Sequence, residues 1–244
     1  MSIFNKYFRI CFTVYAIVIF LLLMLIVLLP VVIIALLIKH PENAIHKVMR
    51  CWAKFWFFFI GIQFKALNKQ NYQEGQTYIF IANHISYLDI PTIILSVDTP
   101  VKILGKAELT KVPIFGWIYK IAIIPVDRTD AKSKANSLEV LKKKLEKGVS
   151  VIVFPEGGFN ETNEPLKMFY SGAFKLSKEL KVPIAPILIL NTKERLHYSN
   201  LFSFNPGIST IKYLPLIYPY NYLTAIEMQQ NAFDCMLNGL IEKI

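Results

Sequence analysis

The sequence is short of cysteine, histidine and acidic residues, and each shortage excludes something. Its three cysteines, Cys11, Cys51 and Cys235, are an odd, scattered set without a C-x-x-C pair. They supply neither a disulfide framework nor a thiolate metal site, and apolar packing is the role expected of all three. The only other histidines, His40, His46 and His197, do not stand at ligand spacing from His84. No metal is therefore expected. Seventeen acidic residues against 27 basic ones leave a formal charge of +10. Such a balance suits an anionic partner, yet the familiar nucleic-acid motifs are missing. Nucleic acid is therefore not expected, and membrane lipids with anionic headgroups are the simpler partner. Internal repeats and low-complexity linkers are also lacking.

What the chain has in excess is apolar residues, 54% of its 244, with a mean hydropathy of +0.42. Much of that excess lies between Ile10 and Ile38, where Thr13 is the only clearly polar residue. Roughly 20 apolar residues suffice to cross a bilayer core. A signal peptide has a shorter apolar core and a small-residue cleavage site, whereas Lys39, His40 and Pro41 follow here. A retained membrane helix or hairpin is expected, with residues 1–60 as the anchor and 61–244 as a separate domain. Pro30 interrupts the run, and basic residues flank both sides: Lys6 and Arg9 before it, Lys39, Lys47 and Arg50 after it. Positive charge marks the cytoplasmic side, which favours a hairpin that turns near Pro30. A single tilted span kinked there is the rival.

After Pro41, residues Ile45, Val48, Met49, Trp52, Phe55, Trp56 and Phe59 recur at helical spacing, with Lys47, Arg50 and Lys54 on another face. This reads as a helix in the membrane interface with its basic residues toward headgroups, or as an amphipathic helix packed on the core. Gly61 is expected to end it. Short β-branched runs then alternate with helical stretches. Strands are predicted at Thr77–Ala82, Val101–Leu104, Ile121–Ile124, Ser150–Phe154, Ile184–Leu190 and Ile208–Leu216. A helix is predicted over Asp130–Lys147, with Leu138, Leu141 and Leu145 inward and Lys142, Lys143, Lys144 and Lys147 on a solvated face. Thr224 and Glu227 form a capping-box pair for a last helix. The alternation implies an α/β domain with a largely buried sheet.

His84 and Asp89 follow the first of these strands in the run Asn83-His84-Ile85-Ser86-Tyr87-Leu88-Asp89. Reactive groups of α/β folds sit at strand ends. Four intervening residues allow a turn, so the carboxylate can fix one imidazole nitrogen while the other serves as a base. The bland alternative is a histidine that stabilises a loop. Ser86 lacks a Gly-x-Ser-x-Gly elbow and is not read as a nucleophile. Phe154-Pro155-Glu156-Gly157-Gly158-Phe159 also follows a predicted strand. It reads either as a plain turn or as a loop whose amides meet an anionic group or a developing oxyanion. Arg128 ends Pro125-Val126-Asp127-Arg128 and offers a fork-shaped cation suited to phosphate, or a surface charge.

In this order, the segments make the chain resemble the glycerolipid acyltransferase family typified by bacterial 1-acylglycerol-3-phosphate acyltransferase, over nearly all of Lys54 to Leu190. Asn83-His84 through Asp89 is similar to the first family block, N-H-x4-D. Lys106-Ala107-Glu108-Leu109 with Pro113, Phe115, Gly116 and Trp117 is similar to the connecting segment. Ile124 to Arg128 resembles the second block, Phe154 to Gly157 the third, and Val182-Pro183-Ile184-Ala185-Pro186 the fourth.

The resemblance implies a mixed sheet flanked by helices, with His84 as base and Asp89 as its orienting partner. Arg128 would hold the acceptor's phosphate, and Phe154, Pro155, Glu156 and Gly157 would shape the acceptor site. It implies an acyl-acyl carrier protein or acyl-coenzyme A thioester as donor, no cofactor, and work on the cytoplasmic face of the inner membrane in phospholipid biosynthesis. There are departures from the pattern. Ala122 stands where Gly is common, Gly158-Phe159 where Thr-Arg is usual, and no Lys follows Phe169. Two cations expected near an acceptor phosphate are thus missing. Another lysophospholipid or a lyso-aminolipid is the alternative acceptor, and a non-catalytic membrane-surface binding protein of the same fold is the alternative outside enzymes.

Overall fold

The structure is a computed structural model that describes residues 3–73, 75–112, 115–127 and 129–242. Its helices are α1 (Ile3–Leu37), α2 (Glu42–Phe59), α3 (Asp89–Ser96), α4 (Phe115–Ala122), α5 (Ala131–Glu146), α6 (Gly172–Leu180), α7 (Thr192–Arg195) and α8 (Ala225–Ile241). Its strands are β1 (Ile62–Leu67), β2 (Ile79–Ala82), β3 (Val101–Lys106), β4 (Ile123–Val126), β5 (Ser150–Val153), β6 (Ile184–Leu190) and β7 (Gly207–Tyr213). The strand order is β1-β7-β6-β2-β5-β3-β4. The fold is α/β, a mixed sheet flanked by helices, as the sequence implies. The chain divides into two compact units, with residues 1–67, 85–98 and 189–211 in the first and the remainder in the second.

In the first unit, α1 does not turn back at Pro30. It runs unbroken to Leu37 with Pro30 inside. Proline costs the ladder one N–H and crowds the carbonyl one turn earlier, yet the helix continues through Pro30, which is exposed. The chain reverses instead at residues 38–41, and α2 returns antiparallel along α1. The Trp56 indole donates to Ala16 O at 3.1 Å, Tyr15 Oη donates to Phe59 O at 3.0 Å, and Phe20 meets Trp52 and Trp56 edge-on. Thr13, Ala16, Met24 and Val31 form the buried stripe of α1. The stretch Tyr7–Leu37 is otherwise open, with only 11% of its most apolar window buried. Among the described residues this is the one helix long and apolar enough to cross a membrane.

Helix α2 buries Ile45, His46, Met49, Trp52, Ala53, Trp56 and Phe57, while Phe55, Phe58 and Phe59 stay exposed. Gly61 follows its end at φ +62°, where a side chain is strained, so the expected glycine stop is present. Two expectations fail here. Arg50 does not face headgroups: its Nη1 donates to Asp98 Oδ1 at 2.5 Å and to Val97 O at 2.6 Å. Val97 caps the C-terminus of α3, where unsatisfied carbonyls favour a cation. Cys11 and Cys51 are not packed either; both sit on outward faces of their helices, and only Cys235 is half-buried.

In the second unit β2 pairs in parallel with β5 on one side and β6 on the other, and β3 joins β5 to β4, also in parallel. An isolated antiparallel bridge also joins Ile184 of β6 to Ile217 beyond β7. Every residue of β2 and β6 is buried, the pattern of a sheet covered on both faces. Helix α5 begins where Asp130 accepts from the amides of Lys132 and Ser133, and it buries Leu141 and Leu145 while Leu138 is half-buried. Lys143 and Lys147 are exposed as expected; Lys142 is half-buried and pairs with Glu179 of α6. At α8, Thr224 Oγ1 accepts from Glu227 N, and Glu227 reaches back to Leu223 N.

Candidate functional site

Strands β2 and β5 are parallel neighbours in the register Ile81 to Val153. Their C-terminal ends therefore emerge side by side, which brings the residues after Ala82 beside those after Val153. His84 is held there on several sides at once. Its ring stacks on Phe154 at 4.0 Å between centroids with 18° between planes, and Phe159 lies at 4.1 Å and 39°. Its amide donates to Glu156 Oε1 at 3.0 Å, and its carbonyl accepts from Asn160 N at 2.9 Å. Each aromatic contact of this kind is worth about 0.5–1.5 kcal/mol beyond area burial.

Glu156 is 2% exposed, and its second oxygen accepts from Lys167 N at 2.9 Å. A buried carboxylate needs such donors, and these fasten the loop 154–167 to the backbone of His84. Pro155 contributes its carbonyl, which accepts from Tyr170 N at 2.8 Å. Gly157 turns the loop at φ +76°, and a Cβ there would stand 2.5 Å from the Tyr170 ring. Its amide donates to Phe154 O and closes the turn. The loop expected to meet ligand through Glu156 and Gly157 thus uses both groups internally to fix His84, and Phe154 forms a wall against the imidazole. Asn160 is locked in turn: its Oδ1 accepts from the Thr162 amide and hydroxyl, and its Nδ2 donates to Glu164 O.

Asp89 opens α3 and is fully buried. Its Oδ2 accepts from the amides of Ile85 and Ser86 at 2.8 and 2.9 Å, the two residues that follow His84 in the chain. Its Oδ1 accepts from the Thr192 hydroxyl at 2.7 Å. These donors fix the rotation of the carboxylate, and the first turn of a helix favours its charge. Ser86 is also fully buried; its hydroxyl donates to Leu196 O and accepts from Leu88 N, which is the role of a loop brace. Arg128 lies outside the described residues.

Asn160 and Thr192 escaped the reading of the sequence, and Phe159 entered it only as part of the loop and as a departure from the family pattern. Asn160-Glu161-Thr162 carries the signature of a local side-chain turn, which points to a fixed loop and not to its neighbour. Thr192 is 103 positions from Asp89, and nothing local marks it. Among the described residues no group of three His, Cys, Asp or Glu side chains is arranged to hold a metal ion.

A strand-end histidine walled by aromatic rings, beside a loop fixed through a buried glutamate, defines an α/β protein with an imidazole positioned at the end of its parallel strands. The chain matches the family model described as Acyltransferase over residues 63–190, more than half its length, and it belongs to that family. It is 31% identical over 150 residues to a chloroplastic 1-acyl-sn-glycerol-3-phosphate acyltransferase of Arabidopsis thaliana, covering 60% of this chain and 41% of the relative. It is 30% identical over 153 residues to the 1-acyl-sn-glycerol-3-phosphate acyltransferase of Salmonella typhimurium, covering 62% and 60%. The chain thus spans less than two thirds of the length of these curated relatives. The crystal structure of the 1-acyl-sn-glycerophosphate acyltransferase PlsC from Thermotoga maritima shares the fold, with a TM-score of 0.82 at 23% identity and 97% of each chain covered.

Proposed function

We propose that the protein moves a fatty acyl group from an acyl thioester to the hydroxyl of a lyso-lipid, with 1-acyl-sn-glycerol-3-phosphate as acceptor and phosphatidate as product. The observation that carries this reading is His84, set at the end of a central parallel strand with its backbone held by Glu156 and Asn160. His84 takes the proton of the acceptor hydroxyl as that oxygen attacks the thioester carbonyl. The C–S bond then breaks, and the imidazolium returns the proton to the departing thiol. Asp89, fixed against the amides that follow His84, orients the ring and stabilises its charged form. Such a base supplies about 10²–10⁴-fold, so alignment of the two substrates must supply much of the remainder.

In this reading Arg128 holds the acceptor's phosphate, and Phe154, Pro155, Glu156 and Gly157 form and support the wall beside it. Residues 1–60 are the anchor and 61–244 the catalytic domain, on the cytoplasmic face of the inner membrane. The donor is carried by acyl carrier protein or coenzyme A, and no metal or prosthetic group takes part. One observation favours a second acceptor: the side chain packed beside His84 at position 159 is an apolar ring and not a cation. A lysophospholipid with a less anionic head fits that surface.

The test is acyl transfer from a labelled acyl thioester to a panel of lyso-lipids. His84→Ala is expected to abolish product while the protein stays in the membrane fraction, and near-normal turnover in that variant would overturn the reading. A wild-type preference for a lyso-lipid other than lysophosphatidic acid would reassign the acceptor and leave the reaction standing.

A further inference from the structure

We infer that Phe159, together with Phe154, shields both faces of the His84 imidazole, so that the base activates an alcohol and not water. Position 159 then decides whether an acyl thioester is transferred or hydrolysed. The inference rests on the acyl-transfer reading above and adds a determinant of reaction specificity to it.

The geometry is direct. Phe154 and Phe159 have centroids 4.0 and 4.1 Å from that of His84, at 18° and 39°. Two rings that close to one centroid would overlap if they shared a face, so they lie on opposite faces. A nitrogen acts as a base through its lone pair in the plane of the ring. A stacked ring on one face and a tilted ring on the other confine approach to the in-plane edge and fill the space beside the imidazole that solvent would otherwise occupy. Phe154 is 6% exposed and belongs to the core, whereas Phe159 is half-buried at the rim. The exposed side of the shield is thus Phe159. Its backbone is fixed independently of its ring: Asn160 N donates to His84 O, and Lys167 Nζ donates to Phe159 O. Removing the ring leaves the loop tied down and opens a space beside the imidazole.

The chemistry makes that space consequential. With an alcohol, a C–O bond forms, the C–S bond breaks, and ester and thiol leave with the hydroxyl proton delivered to sulfur. With water in place of the alcohol, the same bonds change and the products are a free fatty acid and the thiol. The base does not distinguish the two nucleophiles by chemistry, so exclusion of water has to come from the walls of the site.

The experiment uses the full-length protein in phospholipid vesicles with a labelled acyl thioester and lysophosphatidic acid, and counts labelled ester and labelled free acid separately. Phe159→Ala is expected to raise the ratio of hydrolysis to transfer at least about tenfold. Phe159→Tyr, which keeps the flat ring, is expected to hold the ratio near the wild-type value. Phe159→Leu fills similar volume without the stack and is expected to fall between them. A wild-type ratio in both the alanine and leucine variants overturns the inference whatever their total rates. Absence of transfer by the unmodified protein across the lyso-lipid panel overturns the acyltransferase reading itself, so the two failures are distinct.

Discussion

Thr192 shows how a single hydroxyl can matter at a distance in the sequence. It is fully buried and donates to Asp89 Oδ1, while the two amides after His84 hold Oδ2. Thr192→Val keeps the shape and removes that donor, a loss worth about 1–3 kcal/mol for a buried carboxylate. Under the proposed mechanism, in which Asp89 orients the imidazole, it is expected to lower kcat about tenfold with KM unchanged. Thr192→Ser restores the donor and should restore kcat. An active valine variant beside an impaired serine variant would show that the methyl group, and therefore packing, is what the site needs. Residues differ in how far the sequence exposes them. His84 is legible because a strand precedes it. Glu156 is legible as important but not in its role: a Pro-Glu-Gly loop suggests a ligand contact, whereas both oxygens bind backbone amides. Thr192 is invisible, because only the folded chain brings it to Asp89.

Elements were legible where one local pattern decided them. β6 is a continuous apolar run of β-branched and aliphatic residues, and it lies where expected, at Ile184–Leu190. β4 lies at Ile123–Val126 and not at Ile121–Ile124, because α4 continues through Ala122 and takes the first two positions. β1 was missed since Ile62-Gln63-Phe64-Lys65 alternates too briefly after a strong helix. The junction of α2 with α3 yields a pH prediction. Burial pushes the His46 imidazole below its ordinary value near 6.5, although its bond to Val97 O at 2.8 Å raises it; Arg50 adds to the lowering and Asp98 opposes it. A histidine held neutral in the folded state contributes fully above its unfolded value. That contribution is lost as pH falls from there toward the folded value, because the unfolded chain binds the proton first. The melting midpoint in detergent is expected to drop between about pH 7.5 and about pH 5.5, and to drop less in His46→Gln, whose amide can still donate to Val97 O. Equal decline in both proteins would locate the pH sensitivity elsewhere.

For the molecule as a whole, the question is what holds it to a membrane, its apolar surface or its charge of +10. Helix α1 has 35 residues, so it is about 52 Å long, well beyond the roughly 30 Å of a bilayer core. It buries the Thr13, Ala16, Met24 and Val31 side, where Trp56 and Phe20 lock it to α2, and leaves Leu22, Leu25 and Leu29 on the opposite side. Those three are 51%, 49% and 65% exposed and take no part in that buried stripe, so lysines there leave the packing intact. In a bilayer each lysine costs about 2.5–3.5 kcal/mol near the centre of the core. The combined variant Leu22→Lys, Leu25→Lys, Leu29→Lys is therefore expected to leave the membrane pellet on a high-salt wash that the wild type resists, with its melting midpoint in detergent unchanged. Salt separates the two contributions, because it screens the attraction of basic residues for headgroups and leaves apolar insertion nearly untouched. If the triple variant stays in the pellet at high salt, the outer face of α1 is not the anchor. Release of the wild type by salt alone would assign attachment to charge.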